Sequence, residues 1–231
     1  MILAVHQPNY LPWPGFFYKM AQSDIFIILD SVQLTRSGSL DNRNFIKTPQ
    51  GAQLLTVPVK RKGLNIQRFD EAMVIPGWKD KHLKALKLNY GKAPYFTELF
   101  QQLEKIFQDS GYLLNINFAF IKLVYDLLKL QTRLVFSSSL PQFFNLHKTE
   151  LIVALCGYFS ADCYLSGQGG SVYNQLDLFE KNNLKLEYLD YQPATYSQLW
   201  GSFIPNLSIV DMLFNCGPEL TRNLLLKERQ V

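Results

Sequence analysis

The first 33 residues constrain the fold more than any other stretch. Ile2–Val5 is a short apolar run that stops at His6, and a turn dense in Pro, Tyr, Trp and Gly follows. An amphipathic segment then leads to a second apolar run, Ile25–Leu29, which ends at Asp30. Short apolar runs bounded by turn signals, with a helix-compatible segment between them, predict a β-α-β unit with parallel strands. Both strands of such a unit deliver their carboxyl ends to one sheet edge, the edge where open α/β sheets bind ligands. His6, Gln7, Asp30 and Gln33 fall there. A polar side chain at the tip of a buried strand costs desolvation unless it has a partner or a task, so function is to be sought at this edge.

The chain has 231 residues, 48% of them hydrophobic and 18% charged, which suits one α/β domain with a helical insertion better than two independent cores. The net charge of +4 comes without a long basic run; the densest group is Lys60, Arg61 and Lys62. Nucleic acid is therefore not expected as a partner. Cys156, Cys163 and Cys216 are widely spaced and form no CxxC pair, so they predict reduced thiols rather than a disulfide framework or a metal site. No cationic stretch precedes the first apolar run, as a signal peptide requires. No apolar segment approaches the ~18 residues of a membrane span. A cytoplasmic protein is expected.

Beyond Asp30 the polar stretch SVQLTRSGSLDNRN predicts an exposed loop. Phe45–Lys47 and Leu54–Val59 flank TPQGAQ and predict a β-hairpin, able to lie over the ligand edge as a flap. Helices are predicted over Trp78–Tyr90, stopped by Gly91, over Tyr95–Asp109 and over Leu113–Leu130. The last is apolar over most of its circumference, which requires burial in its own domain or against a partner. These three make the insertion, about residues 77–131 of a single domain 1–231. The β-α pattern then resumes with strands at Leu134–Phe136, Cys163–Leu165 and Leu184–Leu189, and helices at Lys148–Phe159 and Gln175–Lys181. A helix over Ser208–Cys216 is stopped by Gly217 and Pro218, and Glu219–Glu228 closes the chain. Five strands in β-α register plus a hairpin predict a Rossmann-like parallel sheet.

Candidate site residues follow from this layout. His6, with an ordinary pKa near neutrality, suits a general base, and Asp30 on the neighbouring strand tip is placed to orient it; a structural histidine and an Asx turn are the plainer readings. Asn42, Arg43 and Asn44 set two amides around a guanidinium, able to grip a phosphate or carboxylate or to close the hairpin; Lys47 can add a point charge. SGQGG, between a strand and a helix, offers backbone amides at Gly167, Gly169 and Gly170, with Tyr173 just beyond. It is neither GxGxxG nor a P-loop, and no residue pattern identifies a cofactor. Asp211, within the apolar LSIVDMLFN, needs a partner such as Arg43, Tyr196 or His6, as a lock on the last helix or as part of the site. Cys216, near a helix C-terminus, reads as buried rather than nucleophilic.

HQPNYLPWPGFFYKM, DIFIILDSVQ, NRNFIKT, LTVPV, YGKAPYF, YLSGQGGSVY and LSIVDMLFNCG, in that order, resemble the signature segments of the WbqC-like protein family. The stretch LTRSGSLD departs from it, where a more basic or aromatic sequence is expected before NRN. The resemblance implies a bacterial cytoplasmic protein of surface-polysaccharide (O-antigen) gene sets that modifies nucleotide-activated amino sugars, for instance by transfer of an aminoacyl group. The turn NYLPWPG also resembles the layout of the HxGH nucleotidyltransferases, but Trp13 and Phe16 stand where their histidines would be. The original chemistry is then missing, and Trp13 is left to stack on a base or sugar or to anchor the turn. The expected protein is a group transferase acting on a nucleotide-linked or phosphorylated sugar. His6 and Asp30 are its catalytic residues. Gln7, Tyr10, Trp13, Gln33, Asn42, Arg43, Asn44, Lys47, Gly167, Gly169, Gly170, Tyr173 and Asp211 are its binding residues. The alternatives are a non-catalytic nucleotide- or sugar-binding module and an interaction protein using Leu113–Leu130; self-association fits either.

Overall fold

The computed structural model describes residues 1–34, 39–61, 67–108 and 111–226. The middle of the 34–41 loop, Lys62, Asp109 and the end of the closing 219–228 segment lie outside them. The chain folds into two compact units that interleave along the sequence. The first comprises Met1–Gln7, Tyr18–Val32 and Gln131–Gln192, and the second comprises Pro8–Phe17, Gln33–Leu130 and Pro193–Val231.

The first unit holds the parallel sheet. Its strands are β1 (Ile2–His6), β2 (Ile25–Ile28), β5 (Arg133–Phe136), β6 (Cys163–Ser166) and β7 (Lys185–Tyr188); β3 (Arg43–Thr48) and β4 (Gly51–Thr56) form the hairpin of the second unit. The spatial order is β5-β2-β1-β6-β7, all pairs parallel. Renumbered by their order in the chain, these strands run 3-2-1-4-5, the Rossmann order. β1 and β2 are buried at nearly every position, which is why they read as continuous apolar runs rather than alternating ones. Helices α5 (Lys148–Tyr158) and α6 (Leu176–Lys181) pack on the sheet through a core that includes Leu3, Val5, Ile25, Ile27, Leu155 and Phe179.

α1 (Pro14–Ala21) begins on a proline, whose missing N–H costs nothing at a helix start. The second unit contains the hairpin β3 (Arg43–Thr48) and β4 (Gly51–Thr56), in register Thr48↔Gly51. The two-residue turn is Pro49–Gln50, and Gly51, at φ 114°, takes a conformation few other residues adopt. The same unit holds α2 (Lys79–Tyr90), α3 (Phe96–Gln108), α4 (Leu113–Leu127) and α7 (Ile209–Leu225). Within it α4 buries Ile116, Phe120, Ile121 and Val124.

Boundaries differ from expectation at the hairpin, where β4 is Gly51–Thr56 rather than Leu54–Val59 and the turn shortens from TPQGAQ to Pro49–Gln50, and at the last helix. The helix expected to stop at Gly217 and Pro218 resumes as far as Leu225. Gly217 leaves helical geometry for a single residue (φ 73°, ψ 169°), and Pro218 starts the next segment with its preset φ.

Candidate functional site

Because the chain runs outward from β1 through β2 to β5 and then returns to β6 and β7, its topological switch lies between β1 and β6. The crevice beyond the carboxyl ends of those two strands is the expected ligand site of an open α/β sheet. A cavity of about 340 Å³ opens there. Val5, His6 and Gln7 reach it from β1, Tyr164 from β6, and Gly167, Gly169, Gly170 and Tyr173 from the turn after β6. Lys19 of α1 and Lys148 of α5 complete its polar wall. Six of the residues selected from sequence therefore meet at one cavity: His6, Gln7, Gly167, Gly169, Gly170 and Tyr173.

His6 Nδ1 lies 2.8 Å from the Gln7 carbonyl oxygen. A carbonyl only accepts, so Nδ1 carries the proton and the lone pair of the neutral ring is on Nε2. Burial, together with the nearby Lys19 ammonium, holds the His6 pKa down at about 4. Asp30 is 2% exposed at the tip of β2. Its carboxylate accepts from Ser137 Oγ at 3.0 Å, Ser138 N at 2.8 Å and Ser138 Oγ at 2.6 Å. These three donors tie the tip of β2 to the turn after β5. The carbonyl of Gln7 thus orients the His6 ring, and Asp30 fastens the adjacent strand ends.

Lys19 is the residue that sequence reading missed. It is 4% exposed, donates from Nζ to the Val5 carbonyl at 2.8 Å, and sits 6.0 Å from the centre of the Tyr164 ring. Burial lowers its pKa to about 7. The signal was present in the sequence: Lys19 lies three residues after Phe16 and beside Met20, both buried, so it falls on the apolar face of its helix. Among the described residues that line the cavity there is no aspartate or glutamate.

The glycines of the turn divide by role. A Cβ on Gly170 would sit 2.1 Å from Ser166 Oγ, so packing demands glycine there; a Cβ on Gly167 or Gly169 would meet nothing within 4 Å. Their backbone is open to a ligand. Thr149 Oγ1 accepts from Gln175 N at 3.2 Å and donates to the Tyr173 carbonyl at 3.4 Å, pinning the exit of the turn to the start of α5.

The remaining sequence candidates belong to the second unit. Tyr10 is fully buried, with its hydroxyl 2.8 Å from His82 Nδ1 and its ring against Trp78 and Phe107. The Trp13 ring lies over Gly15, where a Cβ would come within 2.2 Å of it. Gln33 and Arg68 pair through their backbones in an isolated antiparallel bridge. Asn42 Nδ2 donates to Val57 O at 2.7 Å, and Asn44 Nδ2 donates to Leu11 O at 2.7 Å. Arg43 keeps a buried Nε without a hydrogen-bond partner.

Lys47 and Asp211 share a buried network. Gln198 accepts from Lys47 Nζ at 2.8 Å and donates to Asp211 Oδ2 at 2.8 Å, so one amide bridges the cation and the anion. Tyr90 and Tyr196 hydroxyls also donate to Asp211, at 2.9 and 2.7 Å. Burial raises the Asp211 pKa, against the pull of these donors, and lowers that of Lys47. Burial also pushes the Cys216 thiol up to about 11, which keeps it protonated and unreactive.

The WbqC-like protein family matches the chain over residues 7–223. A protein of Mycobacterium tuberculosis (strain ATCC 25618 / H37Rv), named only as uncharacterized, is 36% identical over 221 residues, covering 94% of each chain. No solved structure matches. Among the described residues no helix is long and apolar enough to cross a membrane.

Proposed function

Since the chain belongs to the WbqC-like protein family, we propose that it is a cytoplasmic enzyme of bacterial surface-polysaccharide (O-antigen) biosynthesis. It transfers a group, of acyl or aminoacyl type, to or from a nucleotide-linked or phosphorylated amino sugar. The observation that supports this reading is the convergence of His6, Gln7, Lys19 and the glycine turn on one cavity at the switch point of the sheet. Transfer to an amine or hydroxyl needs a group that takes the proton of the attacking atom. His6, with its lone pair on Nε2, fills that role. Burial and the nearby Lys19 ammonium lower its pKa; an anionic substrate beside the ring favours the imidazolium and lifts the pKa toward 6.5. The base is then strongest when substrate is bound.

The experiment is incubation of the protein with acyl and aminoacyl donors and nucleotide-linked or phosphorylated amino sugars, with the sugars read by mass spectrometry. The expected result is a mass gain on one sugar that falls about 10²-fold or more in His6→Asn. The second reading, a non-catalytic binding module, is favoured by the serine donors that already engage Asp30, the carboxylate of the neighbouring strand tip. Ligand-induced thermal stabilisation without transfer from any donor class would establish it and overturn the enzyme reading.

A further inference from the structure

The cavity has a charge imbalance that names its ligand. Lys19 is almost completely buried, and its hydrogen bond goes to a neutral carbonyl rather than to an acid. The titratable groups that face it are His6 from β1, Tyr164 from β6, Tyr173 from the turn and Lys148 from α5. None is an anion at neutral pH: burial raises both phenols above their ordinary range, and the imidazole is neutral. A buried amine without a counter-charge is costly, and such groups concentrate where a ligand completes them.

Two further features favour an oxyanion. Lys148 opens α5 at φ 50°, a left-handed conformation that is strained for lysine, and the Thr149 hydrogen bonds hold that helix start against the turn. Gly167 and Gly169 leave open space where side chains would stand, so backbone N–H groups can approach the oxygens of a ligand. The volume of about 340 Å³ lies at the small end for ligand sites.

We infer that Lys19 is the anchor for the phosphate of a phosphorylated monosaccharide, which enters the cavity between Lys19, Lys148 and the Gly167–Gly170 turn and supplies the missing counter-charge. This rests on the reading above only in seating the substrate in the same cavity; it narrows the ligand to one that carries its own phosphate there. Binding is linked to protonation, because the ammonium is favoured with phosphate in place and the neutral amine gains as pH rises in its absence. With the free amine titrating at about 7, affinity falls by about tenfold per pH unit above that point until the bound amine itself titrates.

Calorimetric titration of the full chain with inorganic phosphate and with glucose 1-phosphate, from pH 6 to 9 in two buffers of different ionisation enthalpy, tests this. The expected results are millimolar or tighter binding of both, proton uptake that grows from pH 6 to 8, and no binding of glucose. Lys19→Met weakens binding at least tenfold without lowering the Tm, and Lys19→Arg binds without the decline above pH 7. Affinity independent of pH from 7 to 9, wild-type affinity in Lys19→Met, or no phosphate binding at 10 mM would each overturn the inference. Sugar transfer that survives Lys19→Met overturns it while leaving the group-transfer reading intact. Phosphate binding with proton uptake, but no transfer from any donor, does the reverse.

Discussion

Replacing Lys19 by methionine should make the protein more stable at neutral pH. The ordinary lysine pKa of 10.5 falls to about 7 in the folded chain, and each pKa unit corresponds to about 1.4 kcal/mol. Burying the amine therefore costs roughly 4 kcal/mol at pH 7. Methionine has a similar length and no charge, so it avoids that cost. It also loses the hydrogen bond to the Val5 carbonyl, worth about 1.5–3 kcal/mol for a charged donor. The net gain is about 1–3 kcal/mol, or some 2–12 °C in Tm for a chain of this size. The pH dependence carries the sign. A depressed folded-state pKa means that the unfolded chain holds the extra proton between about pH 7 and 10.5. Wild-type stability therefore climbs as pH rises through that window and is lost as pH falls to 7. The variant lacks this slope, so its advantage shrinks by about 3 kcal/mol from pH 7 to 10 and vanishes or reverses. Other lysines and tyrosines titrate in both proteins and cancel in the difference. Thermal or urea unfolding of the two proteins at pH 7 and 10 decides the matter. A variant less stable than wild type at pH 7, or a gap constant across the range, refutes the reasoning.

Four other outcomes are expected. Gly167→Val keeps its Tm, because Gly167 is extended (φ −70°, ψ 158°) with open space at its Cβ, yet it loses phosphate affinity at least tenfold. Gly170→Ala instead drives a Cβ into Ser166 Oγ and costs about 1–3 kcal/mol; equal melting behaviour of the two variants would contradict the division of the turn. Gln198→Leu leaves Lys47 and Asp211 buried without the amide that joins them and should cost about 2–4 kcal/mol in urea unfolding. An unchanged midpoint would show the network to be dispensable. Gly217→Ala places a Cβ 2.6 Å from the Tyr95 ring at φ 73°, a loss of about 1–3 kcal/mol by chemical denaturation; a neutral result would mean that the α7 kink relaxes at no cost.

The sheet was legible because its signal is local and repeated. Each parallel strand is a short apolar run, each is closed by turn residues, and the carboxyl-end rule then places His6 and Gly167 on a common edge before any coordinate is known. The chemistry at that edge was only half legible, because hydrogen-bond partners are chosen in three dimensions. Asp30 looked like an orienting carboxylate by its position at a strand tip, but the Ser137–Ser138 turn, more than a hundred residues later, supplies donors that hold it. The imidazole, for its part, donates from Nδ1 to the carbonyl of the next residue. Asn42 and Asn44 looked like ligand amides by composition, yet a buried loop has carbonyls that need donors, and Val57 and Leu11 receive them. Lys19 shows the opposite error. A lone lysine within FFYKM passes as an ordinary helix residue unless its helix face is counted, and only burial against Val5 and Tyr164 turns it into a cation with no acid among the described residues that line its cavity. Groups whose needs are met inside the fold support structure, whereas a group whose need is left unmet at the mouth of a sheet is where a ligand is expected. By that criterion Lys19, more than His6, marks the site.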